Sequence, residues 1–138
     1  MLVKPNLFFD GRAEEAIEFY QKVFGVEVVN VVRFKDFPTK PGSEPMSEEI
    51  GKRIANAKLI FEGSSFNVCD VLPPQKIETG NHIGMDAVFK KEDTRIKNVF
   101  EALSEGGTIT QPLREVFFSP CYGELIDRFG IKWAVMQM

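Results

Sequence analysis

Histidine is nearly missing from this chain. His82 is the only one among 138 residues, which excludes any site built on two imidazoles, such as a two-histidine-one-carboxylate iron centre. Cysteine is almost as scarce. Cys69 and Cys121 lie far apart, so no Cys-x-x-Cys metal pair exists, and both are expected as free thiols. Cys69, in an apolar run, reads as core filler, whereas Cys121, in Pro120-Cys121-Tyr122-Gly123, reads as part of an exposed turn. There is no excess of basic charge: 17 Lys and Arg face 20 Asp and Glu for a net charge of −3, so neither nucleic acid nor an anionic membrane is expected as a partner. No apolar run approaches the ~18 residues of a membrane span, and Asp10 and Arg12 interrupt the first apolar stretch, so no targeting segment is expected. These absences describe a cytoplasmic globular protein.

What is present is material for a core. Apolar residues make up 43% of the chain, with thirteen Phe. The length suits one domain, or two small halves sharing one core. The first half reads as a strand near 4–9, a helix over 12–24 stopped by Gly25, and strands near 26–34, 54–62 and 65–71. The helix carries one apolar stripe, Ala13, Ala16, Ile17, Phe19, Tyr20, Val23 and Phe24, with Glu14, Glu18 and Gln21 on the wet side. Gly63-Ser64-Ser65 marks a tight hairpin, and Leu72-Pro73-Pro74 ends the half.

The second half repeats that order. A strand near 82–89 precedes a helix from about Glu92 to Ser104, with Ile96, Val99, Phe100 and Leu103 on one face and Gly106-Gly107 as its stop. Strands near 108–111, 114–118, 122–127 and 131–137 follow. The grammar is strand-helix-strand-strand-strand, twice: an α+β chain of two βαβββ modules, about 1–72 and about 78–138. Residues 35–53 fit neither module. Three prolines and two glycines exclude regular structure before Ser47, where one helical turn is expected, and a loop of this length is either a surface excursion or a lid.

Two stretches carry a resemblance. Residues 5–25, Pro-Asn-Leu-Phe-Phe-Asp-Gly-Arg-Ala-Glu-Glu-Ala-Ile-Glu-Phe-Tyr-Gln-Lys-Val-Phe-Gly, and residues 122–133, Tyr-Gly-Glu-Leu-Ile-Asp-Arg-Phe-Gly-Ile-Lys-Trp, resemble the PhnB-like branch of the glyoxalase/bleomycin-resistance/dioxygenase (vicinal oxygen chelate) superfamily. The resemblance implies one glyoxalase-like domain over 1–138, with curved mixed sheets around a cavity, and a homodimer. Metal-dependent members place His and Glu ligands on their first and fourth module strands. Aligned on the two stretches, those positions fall here at Pro5 (or Asn6), near Val68, at Ala134 and close to His82. That set lacks most of its donors, so no metal and no cofactor are expected. Members of this branch are often called 3-demethylubiquinone-9 3-methyltransferases, but no Gly-x-Gly-x-x-Gly exists for a nucleotide-type methyl donor.

The cavity so implied has several candidate linings. Relatives of the branch often carry His-Ala-Glu-Leu where this chain reads Asn56-Ala57-Lys58-Leu59; a neutral amide beside an ammonium suits an anionic or carbonyl-bearing ligand better than it suits general-base work. Arg33, Asp70, Asp86, Arg114, Trp133 and Gln137 are further candidates. Glu124, with Tyr122 on its face of the strand, is the candidate catalytic carboxylate. Two functions fit: a protein that binds a small molecule in its cavity, or an enzyme of the same superfamily, lyase- or dioxygenase-like, with an altered ligand set.

Overall fold

The computed structural model describes all residues 1–138 and divides into two compact units, Met1–Glu78 and Thr79–Met138. Unit 1 runs β1 (Asn6–Phe9), α1 (Ala13–Phe24), β2 (Glu27–Arg33), a 3-10 turn (Phe34–Asp36), α2 (Glu48–Lys52), β3 (Ile54–Phe61) and β4 (Ser64–Asp70). Unit 2 runs β5 (Met85–Phe89), α3 (Ile96–Ser104), β6 (Thr108–Val116), β7 (Ser119–Ile126) and β8 (Lys132–Gln137). Their strand orders are β1-β4-β3-β2 and β5-β8-β7-β6. In each, the outer first strand pairs in parallel with the fourth, and every other pair is antiparallel. The expected α+β pair of βαβββ modules is the observed one.

Helix α1 forms because its apolar stripe meets one sheet face. Ala13, Ala16, Ile17, Phe19 and Tyr20 are buried, and Glu14, Glu18 and Gln21 are exposed. Tyr20 meets Phe66 edge-on at 5.9 Å, and Phe24 meets Phe61 at 5.3 Å. Gly25, at φ 65°, ends the helix with its N–H on Gln21 O, a left-handed position that glycine adopts without penalty. The N-terminus has no local cap. Instead the buried Asp70 carboxylate accepts from Ala13 N at 3.0 Å and from Ile54 N at 2.9 Å, so one side chain at the end of β4 fixes the start of both α1 and β3.

Several boundaries differ from the sequence reading, each for a local reason. Helix α3 begins at Ile96, not Glu92, because the Asp93 carboxylate takes the Arg95 N–H at 3.0 Å and its guanidinium at 2.6 Å, an Asx turn that competes with helix. The strands expected at 108–111 and 114–118 are one strand with register shifts, which absorb the irregularity without breaking it. The chain turns at Phe117-Phe118, so Cys121 lies half-buried inside β7 and not in a turn. Strand β5 begins at Met85, where pairing with Trp133 starts, leaving His82 exposed before it. The 35–53 segment holds the 3-10 turn and the short α2, whose cap is Ser47 Oγ accepting from Ile50 N at 3.2 Å.

Candidate functional site

Each sheet has one face under its helix and one without. In unit 1, Ala57, Leu59, Phe66 and Val68 are buried on the helix side. Pairing of Lys58 with Asn67, Asn67 with Asn6, and Val32 with Asn56 then sets Asn6, Asn56, Lys58 and Asn67 on the other, open face. The Asn67 Oδ1 atom is shielded from solvent and has no hydrogen-bond partner, an acceptor that buried polar groups seldom leave unmet. Asn56 Nδ2 reaches Asn30 O at 3.4 Å, and the Cys69 thiol donates to Asn6 Oδ1 at 3.6 Å. Burial pushes the Cys69 thiol above its ordinary pKa, so it is held as the inert thiol.

Unit 2 presents carboxylates instead. Glu124 pairs with Ala134 and Gln111, Asp86 with Ala134, and Tyr122 with Met136 and Arg114, so these side chains share the open face. The Tyr122 hydroxyl donates to Glu124 Oε1 at 2.5 Å. That bond to the carboxylate, joined by burial and by the charges of Glu124 and Asp86, pushes the phenol up to about 12, so Tyr122 keeps its proton at neutral pH.

The structure separates the expected site residues into two groups. Asn56 and Lys58 stand on the open face of unit 1, and Glu124 on that of unit 2. Asp70 and Trp133 stand on the helix faces: Asp70 is 4% exposed with both oxygens committed, and Trp133 pairs with Leu125, is buried, and donates Nε1 to Asp127 Oδ2 at 2.9 Å. Trp133 therefore does not share a face with Glu124. Arg33 is engaged as well. Its guanidinium meets the Glu14 carboxylate at 2.6 Å and Lys52 O at 2.6 Å, which holds the Glu14 carboxyl below its ordinary pKa and raises that of Arg33.

Sequence reasoning passed over Asn67 and Lys4. The alternation Phe66, Val68, Asp70 in β4 marks one face and so assigns Asn67 to the other; that signal was present. Lys4 lies outside any strand, where no periodicity applies. It lines a cavity of about 510 Å³ within unit 1, between the segment Leu2–Pro5 and the β3–β4 hairpin, and Lys58 forms another part of the wall.

The metal implied by the superfamily does not fit these residues. Val68 points to the helix side with no exposure, Pro5 lies before β1, Ala134 offers a methyl group, and His82 is exposed before β5. On the first and fourth strands the open face carries Asn6, Phe8, Asn67 and Cys69 in unit 1, and Asp86, Val88, Ala134 and Met136 in unit 2. No three His, Cys, Asp or Glu side chains converge anywhere in the chain. Unit 1 thus offers neutral amides and one thiol on these strands, and unit 2 a single carboxylate; each by itself is a poor donor set for a transition metal.

Comparison with known proteins agrees with the fold and the resemblance. The family described as 3-demethylubiquinone-9 3-methyltransferase matches residues 2–136. Protein YjdN of Escherichia coli K12 is 26% identical over 141 residues, covering 98% of this chain and 94% of that protein. Protein PA1353 from Pseudomonas aeruginosa superposes with a TM-score of 0.85 at 26% identity, covering 99% of this chain and 97% of the other. A PhnB protein from Bacillus cereus, titled a putative 3-demethylubiquinone-9 3-methyltransferase, gives 0.74 at 26% identity over the whole of both chains. The fosfomycin resistance protein FosX from Listeria monocytogenes, at 9% identity and a TM-score of 0.66 over 99% of this chain and 91% of that one, shares the fold. The chain belongs to the family described as 3-demethylubiquinone-9 3-methyltransferase, is PhnB-like, and has the glyoxalase-type fold.

Proposed function

We propose that this PhnB-like protein binds a small anionic or carbonyl-bearing molecule by hydrogen bonds and ammonium charge, without a metal, in a homodimer. The observation that carries the reading is the open face of unit 1, where Asn56 and Lys58 flank the unmet acceptor of Asn67. The lysine supplies a donor and a positive charge, and the Asn56 amide adds an acceptor oxygen beside it. The family description names a methyl transfer, but the mixed sheets and the absence of a glycine-rich phosphate loop give that chemistry no support. Phe8, Val88 and Ile126 stand exposed on open faces, apolar surface that a second copy would cover.

The Tyr122–Glu124 bond favours a second reading, an enzyme whose acid–base work falls to Glu124. In that case the carboxylate accepts a substrate proton while the protonated Tyr122 donates to an oxygen.

One experiment tests the main reading. Dialysed protein is screened by ligand-observed NMR against a set of small carboxylates and amides, alongside elemental analysis. Hits by metal-free protein that weaken in Lys58→Gln support it. Close to one Ni, Zn or Fe per chain, or hits only after such a metal is added, would overturn it.

A further inference from the structure

We infer that the cavity beside the N-terminal segment of unit 1 takes an amphipathic anion, with its charged head between Lys4 and Lys58 and its apolar body toward Val3 and Ile60. This deepens the proposed function, on which it rests, by moving the ligand head away from Asn56 toward the β3–β4 hairpin.

Three observations converge. The cavity, about 510 Å³, has the size of a small-molecule site. Its wall contains two lysines and neither Asp nor Glu, and neither lysine makes an ion pair or hydrogen bond. Two lysines in a wall with no acidic residue favour an anion there over a cation. The polar part of the wall includes Ser65, which pairs with Ile60 on the face that carries Lys58 and brings a hydroxyl able to donate to the head group. The rest is apolar: Val3 is largely exposed and Ile60 half-buried, surface that a hydrocarbon body would remove from water. A head group alone would leave that side unused, and a purely apolar ligand would leave both lysines uncompensated. No arginine lines the cavity, so recognition is by point charge and not by a bidentate fork, which suits carboxylate and phosphate heads alike.

The test uses four six-carbon probes of one length: hexanoate, hexyl phosphate, hexan-1-ol and hexylammonium, added to the full chain and followed by amide chemical shifts. Both anions should bind in the micromolar-to-millimolar range expected for about ten non-hydrogen atoms. Their largest shifts should fall at Gly63, Ser64 and Ser65. The alcohol and the amine should bind roughly tenfold or more weakly, the scale of one lost charge-assisted contact. Lys4→Gln and Lys58→Gln should each weaken the anions by a similar factor while leaving the urea midpoint unchanged, since neither lysine holds a structural partner. The stronger of the two anions identifies the head group. Equal binding of hexanol, shifts centred on Asn56 and Asn67, or no binding at all would overturn the cavity assignment. A shift map centred on Asn56 and Asn67 would overturn the cavity assignment and leave the metal-free reading standing, whereas stoichiometric metal would overturn that reading and with it this inference.

Discussion

Glu124 and Trp133 occupy adjacent strands of one sheet yet point to opposite faces, because Glu124 pairs with Ala134 and Trp133 with Leu125. Glu124 keeps company with Tyr122 on the open side. Trp133 sits under α3's side of the sheet, with its indole N–H on the buried Asp127 carboxylate. The tryptophan thus works on stability. Trp133→Phe removes a hydrogen bond to a buried charged group and should cost about 1.5–3 kcal/mol in urea unfolding, with binding of the anionic probes unaltered. A variant of full stability with lost binding would contradict this placement.

Asp70 is the second structural tie. Replacing it with Asn swaps one acceptor for an N–H donor facing either Ala13 N or Ile54 N, both buried bonds across the unit. About 3 kcal/mol is the expected loss, from one charge-assisted bond broken and one donor left unmet. Guanidinium unfolding reads it, and a change under 1 kcal/mol would show that the carboxylate does not anchor the helix start.

At Gly123 the limit is space. A Cβ there would lie 2.7 Å from Phe100 Cε2 and 3.0 Å from Gln111 O. Gly123→Ala should therefore destabilise by about 1–3 kcal/mol through overpacking, where an open glycine such as Gly63 has nothing within 4 Å. Equal urea midpoints for Gly123→Ala and wild type would refute the close approach.

The module grammar was readable because apolar spacing is a local property: Ile17 and Tyr20, or Ile96, Val99, Phe100 and Leu103, declare their helix faces without help from the rest of the chain. The site was less readable. Asp70 and Trp133 look like pocket residues in a list of types, and only the pairing register shows which face each joins and which partner uses it up. Arg33 is the same case, since its Glu14 partner lies on a different element. Asn67 could have been assigned from the parity of β4, but its unmet oxygen is a property of three-dimensional packing that no spacing encodes.

The Tyr122–Glu124 bond has a pH signature. The folded phenol titrates at about 12, above the value near 10 of an unfolded tyrosine. Between those values the unfolded state has lost a proton that the folded state keeps, so stability from this group is complete below pH 10 and falls as pH rises toward 12. Carbon-13 NMR of the Tyr122 ring should show the late titration. In Glu124→Ala, which removes both the acceptor and its charge, the midpoint should move back toward 10; an unmoved midpoint would mean that the carboxylate is not its origin.

The homodimer is checked by sedimentation. At tens of micromolar the protein should run at twice its chain mass, and substituting Phe8 and Val88 together with Lys should shift it toward monomer. A wild-type monomer under those conditions would remove the dimer from the proposed function.

The thiol of Cys69 makes the chain its own clock. It lies in β4 beside the short outer strand β1, level with Phe8 and bonded to Asn6 Oδ1, and burial raises its pKa. Peeling β1 away from β4 breaks the Asn6 contact and exposes the thiol to an alkylating reagent. In a Cys121→Ser background, the rate of labelling thus counts excursions of one edge strand, a local opening far cheaper than global unfolding. Any molecule that settles against the neighbouring Leu2–Pro5 segment would slow that clock without touching the sulfur.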